Sequence, residues 1–264
     1  MDFWTRLQLP VNTFSLRHEI IKENLPLGRD DAVADVGVGT GYSAFNFAPG
    51  VRELVGIDVA APVIDFLKSL PWGRGVEFVR ADIADVNDAA LKKLAGKFDR
   101  LYAADVLEHV SAPAAFFQNV ASLLKEGGAA LITFPNTPGH GVTRFRTKTE
   151  LAQNLAAAGL KARTLDVLEP TTWLKIIYSA FVKLPLSAHR RVRRRPRGRG
   201  DRGEEQTFDQ TYAFAFNRRL PWYRVLINFY FEALMAVAKM LPLYKTTPAP
   251  EEILGRRVLV VATE

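Results

Sequence analysis

The stretch VADVGVGTGY, residues 33 to 42, decides how the rest of the chain is read. It is a short apolar run ending in Gly37, Gly39 and Gly41, and a helical segment follows it. Glycines at a strand-to-helix turn let the backbone bend sharply and approach a ligand closely, while the free amides at the helix start suit a carboxylate or phosphate. The spacing is G-x-G-x-G, with Tyr42 where a dinucleotide fingerprint carries its third glycine, which argues against a nicotinamide-dependent dehydrogenase. Asp35, ahead of the first glycine, is ill suited to a pyrophosphate and well suited to accept from an ammonium group. The expected ligand carries both an amine and a carboxylate.

Outward from this turn the same form of run returns in VRELVGIDVA, GVEFVRADIAD, FDRLYAADVLEHV and GAALITFPN, separated by helical spacers. Such alternation means βαβ units and a parallel sheet. APVIDFLKSL and PAAFFQNVASLLKEGG have helical periodicity, and the second is expected to stop at Gly127-Gly128. Thr147 and Glu150 form a capping box for a helix that runs out at Gly159, and the strand KARTLDVLEP comes next. Upstream, residues 13 to 25 read as an amphipathic helix with Ile20, Ile21 and Leu25 inward. From Thr171 the alternation stops, and it resumes only in RRVLVVATE, a final strand.

The strand ends supply the rest of a ligand. Asp58, followed by Val59, closes the second strand, where a carboxylate accepts two hydrogen bonds from a ribose diol. Asp82, at the end of the third strand, can take the exocyclic amine of an adenine, with Ile83 against the ring. DVLEHV, residues 105 to 110, ends the fourth strand and brings Asp105 and Leu107 to the carboxyl edge where ligands of such sheets lie. Amine, carboxylate, ribose and adenine together describe S-adenosylmethionine.

With these residues in place the chain resembles the class I S-adenosylmethionine-dependent methyltransferases, in the subgroup with DVGxGTG, GxD, AD(I/L) and DVLEHV followed by LKxGGxLxxxxPN. Residues 32 to 136 match throughout, in order and at normal spacing; Val38 stands where the commoner DVGCGTG has cysteine. Further on, GHGVTRFRTKTEL is similar to the His-containing segment after strand five of ubiquinone-biosynthesis O-methyltransferases, with His140 and Phe145 at matching positions. The resemblance implies an α/β Rossmann-like, seven-stranded, mostly parallel sheet with helices on both faces. It also implies that strand seven inserts antiparallel beside strand five, a role RRVLVVATE fits. The organisation expected is a cofactor-binding core over 1–170, a helical, Arg-rich insertion over 171–255 and a final core strand over 256–264.

Methyl transfer is an in-line displacement from a sulfonium, so the enzyme aligns the acceptor and, for a hydroxyl, removes its proton. Histidine suits that near neutral pH. His140, in a Pro-Gly-rich loop, and His109, beside Glu108, are the candidate catalytic residues. Arg17 or His18 is a candidate for the methionine carboxylate. No metal ligand set is expected, and the chain has no cysteine to form a disulfide or a thiolate site.

The formal net charge of +7 equals that of one segment, HRRVRRRPRGRGDRG, residues 189 to 203, so the remainder is balanced. The flanking segments are apolar: TTWLKIIYSAFVKLPL places Trp173, Ile176 and Ile177 on one helical face, and PWYRVLINFYFEALMAVAKMLPLYK carries few charges. This insertion is either a cap over the acceptor or a docking element for an anionic membrane surface through residues 171–243, with arginines on headgroups. The acceptor expected is a small amphipathic or lipid-linked molecule methylated at oxygen. The alternative, an RNA-binding or RNA-modifying protein using the arginines on phosphates, lacks interleaved stacking aromatics, so nucleic acid is the less favoured partner. The N-terminus has no unbroken apolar run of a secretory signal, which points to the cytoplasm, peripherally at the inner membrane face if the insertion docks there. Nothing in the sequence bears on oligomeric state.

Overall fold

A computed structural model describes residues 16–70, 75–139, 141–177 and 244–263, together with positions 229, 230, 233, 234, 236, 237, 240 and 242. The described residues from 16 to Glu169 and from Thr246 onward form one compact unit, and those from Pro170 to Lys245 form another.

In the first unit, helix α1 (Leu16–Asn24) precedes strand β1 (Ala32–Val36), helix α2 (Tyr42–Phe47), β2 (Glu53–Asp58), α3 (Ala61–Lys68), β3 (Val76–Arg80), α4 (Ala89–Lys93) and β4 (Phe98–Ala104). A 3-10 turn (Leu107–His109), α5 (Pro113–Leu123), β5 (Leu124–Asn136), α6 (Lys148–Ala157) and β6 (Lys161–Pro170) follow. Helix α7 (Thr172–Ile177) lies in the second unit, and β7 (Tyr244–Pro248) and β8 (Arg256–Thr263) complete an eight-stranded sheet of order β3-β2-β1-β4-β5-β8-β6-β7. Strands β1 to β5 pair in parallel, whereas β8 inserts antiparallel between β5 and β6. This is the Rossmann-like architecture expected, with one strand more: β7, placed by sequence within the insertion, forms the sheet's edge.

All five residues of β1 are buried, as are the middle residues of β2, which is why these strands read as near-continuous apolar runs, interrupted in β1 by Asp35, and not as alternating ones. The core gathers Val36, Ile57, Leu101, Phe116, Phe117, Ile132 and Phe134 from both strands and helices. Ile20 and Ile21 of the first helix and Leu25 just after it are buried as expected. Helix α6 is capped by Thr147, whose hydroxyl accepts from Glu150 N–H at 3.0 Å, while the Glu150 carboxylate reaches back to Arg146 N–H at 2.7 Å, one residue earlier than a standard capping box.

Two boundaries differ from expectation. Helix α5 ends at Leu123, not at Gly127-Gly128. Leu124 pairs with buried Phe98, the register then shifts so that Arg100 faces Ala129, and Lys125 binds both oxygens of Asp99 at 2.9 Å. The glycines serve this bulge, with Gly127 at φ 72° and Gly128 pressed against the Lys125 carbonyl. In α7, Leu174 and Ile177 are buried and Ile176 is exposed, so the inward face is rotated from the one expected.

Candidate active site

The glycine turn is built by backbone conformation. Gly37, Gly39 and Gly41 all have left-handed φ values, 72°, 50° and 75°, which side chains resist. Gly37 and Val38 donate their amides to the Ile57 carbonyl at 2.8 and 3.0 Å, tying the turn to β2. A Cβ on Gly37 would stand 2.3 Å from Val106 Cγ2, so the missing side chain is also what lets the loop after β4 close on the turn. Gly39 N–H donates to Asp58 Oδ2 at 3.0 Å, and Ala60 N–H donates to Oδ1 at 3.0 Å. The carboxylate that ends β2 is thus fixed by one amide per oxygen, and each oxygen keeps a lone pair for a further donor. Burial raises its pKa and the amides oppose the rise. Val59, next to it, is exposed.

Asp35 is buried on β1 directly opposite Tyr102 of β4, whose hydroxyl donates to Asp35 Oδ2 at 2.9 Å. Burial pushes Asp35 up to about 7 against the pull of the Tyr102 hydrogen bond. Tyr102 is itself raised, by burial and by the facing carboxylate. Asp82 accepts from Ala84 N–H at 2.8 Å and donates its own amide to Asp88 at 2.9 Å. Ile83 lies in the core cluster.

At the end of β4, Asp105 takes a left-handed φ of 59° and is held by two guanidinium groups, Arg17 at 2.7 Å and Arg257 at 2.5 Å. Arg17 therefore meets a carboxylate of the protein, and His18 beside it stacks on Phe47 at 4.2 Å. Leu107 is fully buried, which leaves its backbone as the part able to meet a ligand. His109 is exposed, with Nε2 3.8 Å from Glu108 Oε1. His140 lies outside the described residues, as do His189, the arginine run, Trp222 and Tyr223. The loop on the C-terminal side of position 140 is fixed on the β4 turn: Val142 and Thr143 donate their amides to the Glu108 carbonyl at 2.6 and 3.2 Å, and a Cβ on Gly141 would collide with that carbonyl. Asn136 clamps Phe145 from both sides of its backbone, and Phe145 is buried in the core.

The carboxyl ends of β1, β2 and β4 thus bring together Asp35, the glycine turn, Asp58 and the DVLEHV turn. Three residues here were missed by sequence reading: Tyr102, Arg257 and Glu108. Tyr102 and Arg257 act across strand pairs, and Glu108 stands in the turn after β4 between buried Leu107 and exposed His109, with no sequence signal that sets it apart from Asp105.

A doubly wound sheet with a glycine turn and an acid at each strand end defines a Rossmann-type adenosyl cofactor site. Residues 34–132 match the family model described as a methyltransferase domain. A Mycolicibacterium smegmatis protein named a probable S-adenosylmethionine-dependent methyltransferase is 28% identical over 170 residues, 59% of this chain and 63% of its own length. A ubiquinone biosynthesis O-methyltransferase of Xanthomonas axonopodis pv. citri is 35% identical over 109 residues, 40% of this chain and 44% of its own. The chain thus spans less than two thirds of the length of these curated relatives. Among solved structures, the YcgJ protein of Bacillus subtilis superposes with a TM-score of 0.53 at 13% identity, covering 95% of this chain and 99% of that one. The geranyl diphosphate C-methyltransferase of Streptomyces coelicolor, solved with S-adenosyl-L-homocysteine, gives 0.50 at 14% identity, covering 94% and 77%. Residues 34–132 thus carry a methyltransferase domain on a Rossmann-like sheet, and the similarity to these relatives supports S-adenosylmethionine as the cofactor.

Proposed function

We propose that the chain transfers the methyl group of S-adenosylmethionine to an oxygen of a small amphipathic or lipid-linked acceptor. The observation that carries the cofactor half is the hydrogen bond from Gly39 to Asp58, which ties the glycine turn to the carboxylate that would hold the ribose. The residues present fit that cofactor. Asp58 keeps a lone pair on each oxygen for the diol, Asp35 offers a carboxylate for the ammonium group, and exposed Val59 offers an apolar flank for the base. When bound, the cofactor supplies an electrophilic methyl group on a positively charged sulfur.

The acceptor half rests on the similarity to a relative named for ubiquinone biosynthesis O-methylation and on the surface of the second unit. There, Phe229, Tyr230, Val237 and Met240 are between 40% and 80% exposed, and the first three are helical. An exposed apolar surface following an arginine run is the two-part signal of a peripheral attachment to anionic lipid. Among the described residues, no helix is long and apolar enough to cross a membrane. The RNA-modifying alternative gains no support from the comparisons.

The test is calorimetry with S-adenosylhomocysteine and with NAD, followed by transfer of a deuterated methyl group to extracted lipid, located by tandem mass spectrometry. Binding of S-adenosylhomocysteine and label on a lipid oxygen is the expected result. Tight NAD binding without S-adenosylhomocysteine binding overturns the cofactor half, and label found only on nitrogen or carbon overturns the acceptor half.

A further inference from the structure

Glu108 is an anomaly of the site. Its side chain is 1% exposed, yet among the described residues neither carboxylate oxygen has a hydrogen-bond partner. A buried carboxylate in that condition is costly, because desolvation is not offset by donors, and native structures keep such groups where they serve a purpose. Its surroundings fix it firmly. The 3-10 turn that carries it packs against β5, and the loop of residues 141–143 is hydrogen-bonded to its carbonyl. The carboxylate is therefore held by its backbone, buried, and without a donor at either oxygen among the described residues. Another buried oxygen lacking a partner, Thr133 Oγ1, lies on β5, the strand beside β4, and the Thr133 carbonyl accepts the Asp105 amide at 2.8 Å. Unfilled polar atoms thus occur where β4 and β5 reach the carboxyl edge of the sheet.

We propose that Glu108 is the catalytic residue that receives the proton of the acceptor's hydroxyl group as the methyl group is transferred. This deepens the oxygen-methylation reading above and rests on it. The acceptor oxygen forms its bond to the methyl carbon, the carbon–sulfur pair returns to sulfur to leave a neutral thioether, and the hydroxyl proton passes to a Glu108 oxygen, later leaving to water. No other reactant is needed. An acceptor hydroxyl that reached this buried edge would meet an oxygen with an unused lone pair, and its O–H would supply the donor that the carboxylate lacks among the described residues.

The charged groups around Glu108 suit the task. Burial pushes its pKa up to about 7, and neighbouring Asp105 adds to the rise. Its own backbone N–H, Arg257 of β8 and Arg17 of α1 act in the opposite direction. His109 on the same turn has Nε2 at 3.8 Å, beyond hydrogen-bond reach. A base poised near neutrality is ionised often enough to accept a proton and basic enough to hold it. His109, exposed on the same turn, is then not the group that takes the proton from the acceptor.

The experiment uses the full chain, S-adenosylmethionine as donor and a series of 4-alkylcatechols of increasing chain length as hydroxyl acceptors, with S-adenosylhomocysteine formation as the readout. Glu108→Gln should lower kcat by about 10²-fold or more while leaving S-adenosylhomocysteine affinity within about twofold of wild type. The wild-type rate should rise with pH through about 7, where Glu108 ionises, and this limb should vanish in Glu108→Gln. Loss of rate with the limb intact would mark a packing role and overturn the proposal, as would an unchanged rate. If Glu108→Gln does not fold, Glu108→Asp decides: a slower enzyme that keeps a limb supports the proposal, and wild-type rate and limb overturn it. Should the wild type bind S-adenosylhomocysteine yet methylate none of the catechols, the oxygen-acceptor reading itself fails, and the proposal with it. Absence of S-adenosylhomocysteine binding would instead defeat the methyltransferase reading.

Discussion

If Asp35 receives the cofactor's ammonium group, cofactor affinity must carry a proton of its own. Asp35 is buried against Tyr102 and its pKa is raised to about 7, so near neutrality half of the unliganded molecules hold it protonated. Only the ionised half offers full charge to an ammonium. At pH 5 about one molecule in a hundred is ionised, so the apparent affinity for S-adenosylhomocysteine should fall about 50-fold between pH 7 and pH 5. Asp58, also raised by burial, adds a pH dependence through the ribose. The control is therefore 5′-methylthioadenosine, which has the ribose and adenine but no amino acid: it should share the Asp58 part and lack the Asp35 part. Isothermal titration in buffers of different ionisation enthalpy should show a proton released with S-adenosylhomocysteine at pH 6. Asp35→Asn should abolish the difference between the two ligands. Equal pH dependence for both in the wild-type protein would refute the assignment of Asp35 to the ammonium group. The same shift has a stability consequence of fixed sign. A folded-state pKa raised from 3.8 gives stability that is fully present below about pH 4 and lost as pH rises to about 7, up to about 4 kcal/mol at alkaline pH. Asp35→Asn should therefore raise the melting temperature of the unliganded chain at pH 8 and change it little at pH 4.

Asp58→Ala should weaken S-adenosylhomocysteine and methylthioadenosine alike, since two charge-assisted hydrogen bonds at about 1.5 to 3 kcal/mol each are removed; an effect on only one of the ligands would count against the ribose assignment. Gly37→Ala should cost about 1 to 3 kcal/mol of stability, because the new methyl runs into Val106 while the left-handed backbone strains, and adding Val106→Ala should recover the steric part, as urea unfolding would report. Deleting residues 189 to 203 should abolish co-sedimentation with anionic liposomes and leave S-adenosylhomocysteine affinity unchanged, each arginine near such a surface contributing about 1 kcal/mol. Binding of wild type to RNA with no liposome partition would contradict the membrane reading.

What could be read from the sequence, and what could not, divides along a physical line. Local rules carried the strands of the cofactor half, because a strand buried on both faces reads as a near-continuous apolar run, and β1 apart from Asp35 and the buried middle of β2 obey this. The same rules carried the glycine turn, where left-handed backbone allows few other residues, and the Thr147 cap. They failed where one signal has two uses. Gly127-Gly128 reads as a helix stop, yet the pairing of Leu124 with Phe98 ends the helix earlier and leaves the glycines to a bulge, a choice made by strand register and not by the helix. Edge strand β7, YKTTP, has none of the apolar alternation that marks a half-buried strand, and it ends on a proline.

The chemistry of the site was legible as a list of acids but not as their states. Asp35, Asp58 and Asp105 look alike in sequence, and the fold gives them three different conditions. Asp35 shares a hydrogen bond with a tyrosine 67 residues away and is raised toward neutrality. Asp58 is pinned by two local amides. Asp105 is bound by Arg257, 152 residues away, and by Arg17, so it is an anchor that joins the first helix, the fourth strand and the last strand. Because those guanidinium groups occupy Asp105, the acid after β4 that has no donor among the described residues is Glu108. That exchange cannot be seen until β8 has taken its place beside β5 and brought Arg257 to the carboxyl edge. The final strand therefore also sets the charge felt by Glu108: Arg257 opposes the rise of its pKa, and Arg257→Ala, which leaves Asp105 to Arg17 alone, should move the Glu108 carboxyl to a higher pKa. Infrared titration of the wild type and this variant should show the Glu108 carboxyl signal persisting to higher pH, and identical titrations would mean that Arg257 holds the strand end in shape without controlling the charge of Glu108.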